Sequence, residues 1–294
     1  MVVVVLVGDA LDLLDVTIAN LDGPAIQARM HVPDTIIQWV LASYTLAFAI
    51  GLMISGRLGD ILGRRPLFLA GLAGFTLGSL VTGLAPNATI LIGGRVVQGV
   101  AGSLMMPQGL GCIRDSFPKD RLQAAFAPLA PTLGFVAASA APLGGLLIDA
   151  DLAGLGWRAV FLLNVPIGLL AFVLGHIVLP RTPPADSAAR LDPASVVLLA
   201  LAASASGIAL VKGPQAGWPG RIVVLLVFGL VAFIGFTRRQ GSAHHPLVLP
   251  SLMAKRGFRV GIGIVAFFYV GMAGLTLCLS VVLQMGLRLS PAQA

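Results

Sequence analysis

The feature that most constrains this chain is a series of nine apolar runs, each about long enough to cross a bilayer. A hydrocarbon core of about 30 Å takes about 20 helical residues to span. The runs cover approximately 2–23, 37–58, 66–85, 88–112, 123–149, 158–179, 192–211, 221–237 and 258–285. Only 11% of the residues are charged, against roughly 25% in a soluble domain, so the chain cannot cover a surface in water. In lipid, helices pair all their own backbone groups and open strands do not. The runs are continuous, without the short alternating segments of a β-barrel. An all-α integral membrane protein is expected, with about nine transmembrane helices. The fifth run is long enough to tilt or kink, and Pro128, Pro131 and Pro142 are its bending points.

The loops between runs set the expected orientation. Those after runs 2, 4, 6 and 8 hold 13 of the 19 lysines and arginines, against five on the opposite side, with Arg95 inside a run. The basic side is expected to be cytoplasmic and to include the N-terminus. Met1–Leu6 lacks a basic n-region and a cleavage site, and reads as the start of a membrane helix. The net charge of +7 is spread through short connectors, so nucleic acid is not an expected partner. The two cysteines, Cys112 and Cys278, lie within apolar runs, so neither a disulfide framework nor a metal site is expected. His244–His245 reads as a solvated loop pair and His176 as a satisfied polar group. No catalytic motif stands in a credible context, so an enzyme is not expected. No cofactor is expected, only a proton gradient as energy source.

Five polar or glycine-rich patterns interrupt the runs. After run 2 come Gly56, Arg57, Gly59, Asp60, Gly63, Arg64 and Arg65. By themselves they are a tight turn with topogenic arginines, in which Asp60 can form charge-assisted pairs. Run 4 holds Arg95, Gln98 and Gly99. A charge within a span faces the bundle interior, paired or functional; a structural arginine bonded to carbonyls is the alternative. Run 5 ends in Ala141, Pro142, Gly144 and Gly145, small residues that suit close helix contact. The remaining two are Trp157–Gly168, with Asn164, and Leu14–Pro24, with Asp15, Asn20 and Asp22.

In this order the patterns resemble the signatures of the major facilitator superfamily, and of its fourteen-helix drug:proton antiporters. The resemblance implies a helical bundle with an N-terminal six-helix half (1–180). A linker with two insert helices (181–240) would follow, then a cytoplasmic loop and the first helix of an incomplete C-terminal bundle (241–294), with Gln284 and Leu289–Pro291 at its end. It implies that the Gly56–Arg65 loop latches the cytoplasmic side of two halves. Asp60 is then the latch acid, Arg57, Arg64 and Arg65 its neighbours, and Arg114 a partner. Arg95 and Gln98 match the R-x-x-Q-G motif tied to proton coupling. Pro142, Gly144 and Gly145 match an antiporter motif in which Ala141 replaces glycine, and Asp22 and Gly23 stand where the family has Ala and Leu. Asn20, Gln108 and Asn164 are candidates for a substrate cavity.

Run 1 carries Asp9, Asp12 and Asp15 at three-residue spacing, on one side of a helix with slow drift. Three ionised acids in a span cost roughly 8–10 kcal/mol, and its aliphatics return about 3–6. The run therefore needs neighbours, water or protons. Asp15 lies about 13 Å deep from Pro24, and Arg95 about 10 Å deep from the same side. An Asp15–Arg95 pair loosened by proton uptake is expected, with a purely structural pair as the alternative; Asp22 is a second candidate carrier. The expected function is proton-coupled export of small amphipathic or cationic compounds across the plasma membrane. The alternatives are proton symport of a nutrient, or a non-transporting membrane protein. Transport is expected to need a second, C-terminal half.

Overall fold

The computed structural model describes residues 1–21, 23–151, 154–181, 190–243, 245–248 and 250–281. They form α1 (Val2–Leu21), α2 (Gly23–Met30), α3 (Asp34–Leu62), α4 (Arg64–Gly83), α5 (Ala88–Ser116), α6 (Leu122–Phe126), α7 (Leu129–Asp149), α8 (Arg158–Val178), α9 (Pro193–Ala216), α10 (Gly220–Gln240), α11 (Pro250–Ala254) and α12 (Arg256–Val281). Among the described residues there is no strand. Among the described residues seven stretches are long and apolar enough to cross a membrane: α3, α4, α5, α6 with the first part of α7, α8, α9 and α10. The 20-residue α1 stands outside that set because its three aspartates exceed what such a stretch tolerates.

Local chemistry explains where the helices start and stop. Asn87 caps α5 by accepting the Ile90 N–H at 3.0 Å, and Asp192 caps α9 through the Ser195 N–H at 3.1 Å, with Pro193 in the first turn. The reversal from α3 to α4 is made at Gly63, whose φ of 92° belongs to glycine. The expected fifth span runs through α6 into α7 and changes at Pro128, one of its expected bending points. Pro128 separates α6 from α7 because proline has no N–H for the preceding turn. The helical stretch α2 precedes α3.

α5 packs between α3 and α4, α8 lies on α4, and α1 rests on α5, α7 and α8. The α9–α10 pair, joined by Gly217–Pro219, leans on α3 through α9. Two apolar clusters tie the bundle together. One gathers Val5, Phe68, Leu72, Phe75, Met105 and Ile113. The other gathers Ala19, Ile26, Val40, Leu91, Trp157 and Phe161. α12 is different: apart from Gly261 and Gly263, every side chain described in it is exposed.

Candidate functional site

Along α1, α5 and α8 a polar centre lies between the two apolar clusters. α1 supplies Asp15, α5 supplies Arg95 and Gln98 three residues apart on one face, and α8 supplies Asn164. α4 adds Ser79 and Thr82. All six side chains are buried, none more than 4% exposed. Arg95 donates from Nη1 to Asp15 Oδ2. The other carboxylate oxygen accepts Gln98 Nε2 and Asn164 Nδ2, both at 2.9 Å. Gln98 also donates to Ser79 Oγ at 2.8 Å and accepts from Arg95 and from Thr82 Oγ1 at 3.1 Å each. A buried ion pair persists only when further hydrogen bonds satisfy its oxygens, and this carboxylate has three donors.

Aromatic faces complete the enclosure. The Arg95 guanidinium lies 4.3 Å from the centroid of the Tyr44 ring and 5.7 Å from that of Phe161, a cation–π arrangement on both sides. Tyr44, on α3, donates its hydroxyl to Asp12 Oδ1. α3 comes this close because α5 presents glycines. A Cβ on Gly99 would overlap the Tyr44 carbonyl, and one on Gly102 would overlap the Asp12 carboxylate. Asp9 is buried one turn earlier on α1, and its Oδ1 has no hydrogen-bond partner among the described residues.

The sequence expectations divide here. The Asp15–Arg95 pair, with Gln98 and Asn164 against it, is present. Tyr44, Ser79 and Thr82 were missed; each is one of several hydroxyls in an apolar run. Asn164 faces the carboxylate from inside the bundle. Gln108 is elsewhere: it is fully buried and donates to the Ser55 carbonyl at 2.7 Å and to Ser55 Oγ at 3.1 Å, tying α5 to α3. The side chain of Asn20 and all of Asp22, Gln284 and Leu289–Pro291 lie outside the described residues.

At the end of the bundle where α3 meets α4, Asp60 sits 3.6 Å from Arg64 and 3.9 Å from Arg57. Arg64 passes over Gly111, where a Cβ would strike its guanidinium, and bonds Asp115 at 2.6 Å. Arg114 is not the partner of Asp60. Its side chain is 63% exposed and lies 3.4 Å from Asp115. Arg65 also turns away, donating to the His176 carbonyl on α8. In α7, Pro142 lies inside the helix and Gly144 meets Ile18 of α1, whereas the Cβ position of Gly145 is open.

A family model described as Major Facilitator Superfamily matches residues 5–290. The chain is 37% identical to the probable actinorhodin transporter of Streptomyces coelicolor, over 99% of this chain and 51% of that protein. It is 37% identical to the tetracenomycin C resistance and export protein of Streptomyces glaucescens, over 83% and 45%. The chain thus spans about half the length of the curated relatives it matches. Among solved structures, a bacterial homologue of the human lysosomal transporter Spinster, inward-facing and unoccupied, superposes with a TM-score of 0.55 at 17% identity. It covers 79% of this chain and 58% of that one.

Proposed function

The chain belongs to the Major Facilitator Superfamily, and on that premise we propose that it forms the leading part of an exporter exchanging protons for small amphipathic compounds. Its cargo is of the kind its relatives are named for, actinorhodin and tetracenomycin C. The observation that carries this reading is the buried Asp15–Arg95 pair. A proton on Asp15 removes the charge that holds Arg95, Gln98 and Asn164 to α1. The contacts among α1, α5 and α8 then weaken together, the kind of two-way change that rocking of one repeat against another requires.

In this reading residues 1–180 are the first six-helix half, 181–240 carry the two insert helices as α9 and α10, and 241–294 open the second half with α12. The Asp60–Arg64–Asp115 chain of contacts is the latch on the cytoplasmic side, in the plasma membrane, with the N-terminus on that same side. Gly144 against Ile18 supports the antiporter reading of that motif, since it brings α7 directly onto the helix that carries Asp15. The energy source is the proton gradient, without a cofactor.

The test is uptake of tetracenomycin C into everted vesicles, using these residues in a chain completed to the length of the relatives. An acid-inside gradient is expected to drive uptake, and Asp15→Asn to lower it by about tenfold or more, as loss of one buried charge-assisted contact of about 1.5–3 kcal/mol implies. Undiminished uptake in Asp15→Asn, or transport driven only by the opposite gradient, sinks the reading.

A further inference from the structure

We propose that Asp12 is a second proton-accepting carboxyl, joined to the Asp15–Arg95 pair through Tyr44, so that loading of one acid changes the proton affinity of the other. The proposal rests on the proton-exchange reading above and deepens it. One side chain touches both acids' environments: the Tyr44 hydroxyl donates to Asp12, while its ring faces the Arg95 guanidinium that holds Asp15. Gly102 leaves the space in which Asp12 and the phenol meet.

The charges around Asp12 show why a proton is the fitting ligand. α5 offers Arg95, already bonded to Asp15. α3 offers the neutral Tyr44 hydroxyl. α1 itself offers Asp9 and Asp15. The cations on the other packed helices are engaged elsewhere: Arg158 of α8 bonds the Ala85 carbonyl, and Arg65 of α4 the His176 carbonyl, while His176 stacks on Phe172. Arg64 bonds Asp115. Among the described residues, then, one guanidinium serves the carboxylates of Asp12 and Asp15. A second uncompensated charge within a span is expensive, and a proton on Asp12 removes it.

The step balances simply. A proton adds to the Asp12 carboxylate and forms a carboxylic O–H; Tyr44 keeps its own proton and loses a charged acceptor. Arg95 is then left with one carboxylate to serve, and Asp15 takes a second proton less readily than it would beside a charged Asp12. Asp9, buried with an unpartnered oxygen, stands about 4.5 Å along the axis from Asp12. It extends the row of carboxyls toward the end of the bundle that carries Gly63.

Infrared difference spectra of the 294-residue chain in lipid bilayers, recorded across a pH titration, decide the matter through the protonated-carboxyl bands. Asp12→Asn is expected to remove one titrating band and Asp15→Asn a different one. Tyr44→Phe keeps the ring and loses only the hydroxyl; it is expected to move the Asp15 midpoint by about one pH unit, a tenfold change in proton affinity. Retention of every band in Asp12→Asn overturns the proposal, as does an unmoved Asp15 midpoint in Tyr44→Phe. Should Asp12→Asn fail to fold, Tyr44→Phe carries the decision alone. Retention of every band in Asp15→Asn is a separate result, which removes the exchange reading itself.

Discussion

Arg95 carries the only positive charge at the polar centre among the described residues, and its loss leaves Asp15 buried with two amide donors and no counter-ion. Breaking a buried pair in this way costs about 3–5 kcal/mol, so Arg95→Ala is expected to lower the thermal unfolding midpoint markedly in lipid. Arg95→Lys restores the charge without the planar face that lies against Tyr44, and is expected to recover only part of the loss. Asn164→Ala removes one donor to a charged oxygen, about 1.5–3 kcal/mol. That cost should largely vanish when Asp15 is already Asn, as a double-mutant cycle would read. The pairing of Asp15 with Arg95 was legible in the sequence because depth along two antiparallel spans can be counted from their loops. The Tyr44–Asp12 contact was not, since a hydroxyl in an apolar run carries no mark of its partner. Arg114 lies beside Asp115, which was not legible either, for a related reason. Distance along a helix gives its depth, but the side it faces depends on Gly111, which lets Arg64 cross to Asp115 instead.

Helices here are held at defined contacts, and two of these are open to direct tests. Gly144→Leu places a branched side chain against Ile18. Overpacking of this kind costs about 1–3 kcal/mol, and cross-linking between α1 and α7 should report their separation; an unchanged cross-linking yield would contradict the contact. The α9–α10 pair is stapled where Arg239 bonds both oxygens of Asp192 at 2.6 and 2.8 Å. Gln240 adds a bond to Ser195 at 2.9 Å. The Arg239 bonds, then those from Ser195, hold the Asp192 carboxyl well below the usual carboxylate range. The staple's contribution is therefore complete above the unfolded value of about 3.9 and fades only as pH falls through the lower folded value. Hydrogen exchange at the start of α9 should stay slow from neutral pH down past that range, and speed up roughly fivefold in Asp192→Ala, as loss of a cap implies. Run length read off the sequence found the long helices. It also marked Pro128, where α6 gives way to α7, because a proline without an N–H loosens the turn before it.

For the molecule as a whole, sidedness is the first thing to measure. With Cys112 and Cys278 changed to Ala, a membrane-impermeant thiol reagent is expected to reach Lys119→Cys from the cytoplasm only and Pro86→Cys from outside only. The reverse pattern would invert the proposed topology. The exposure of α12 on nearly all its described surface leads to a second expectation: the 294 residues alone in liposomes give no net proton-driven flux. The three acids of α1 bear on how the chain is made. Asp15 bonds a residue 80 positions later and another 149 positions later. At about 5–20 residues per second of synthesis, α1 waits about 4–16 s for its arginine and longer for Asn164. During that interval a helix too acidic to rest alone in lipid has to be retained by the insertion machinery. Nascent chains stopped before Arg95 should leave α1 extractable by alkali, and chains in which α5 has emerged should not.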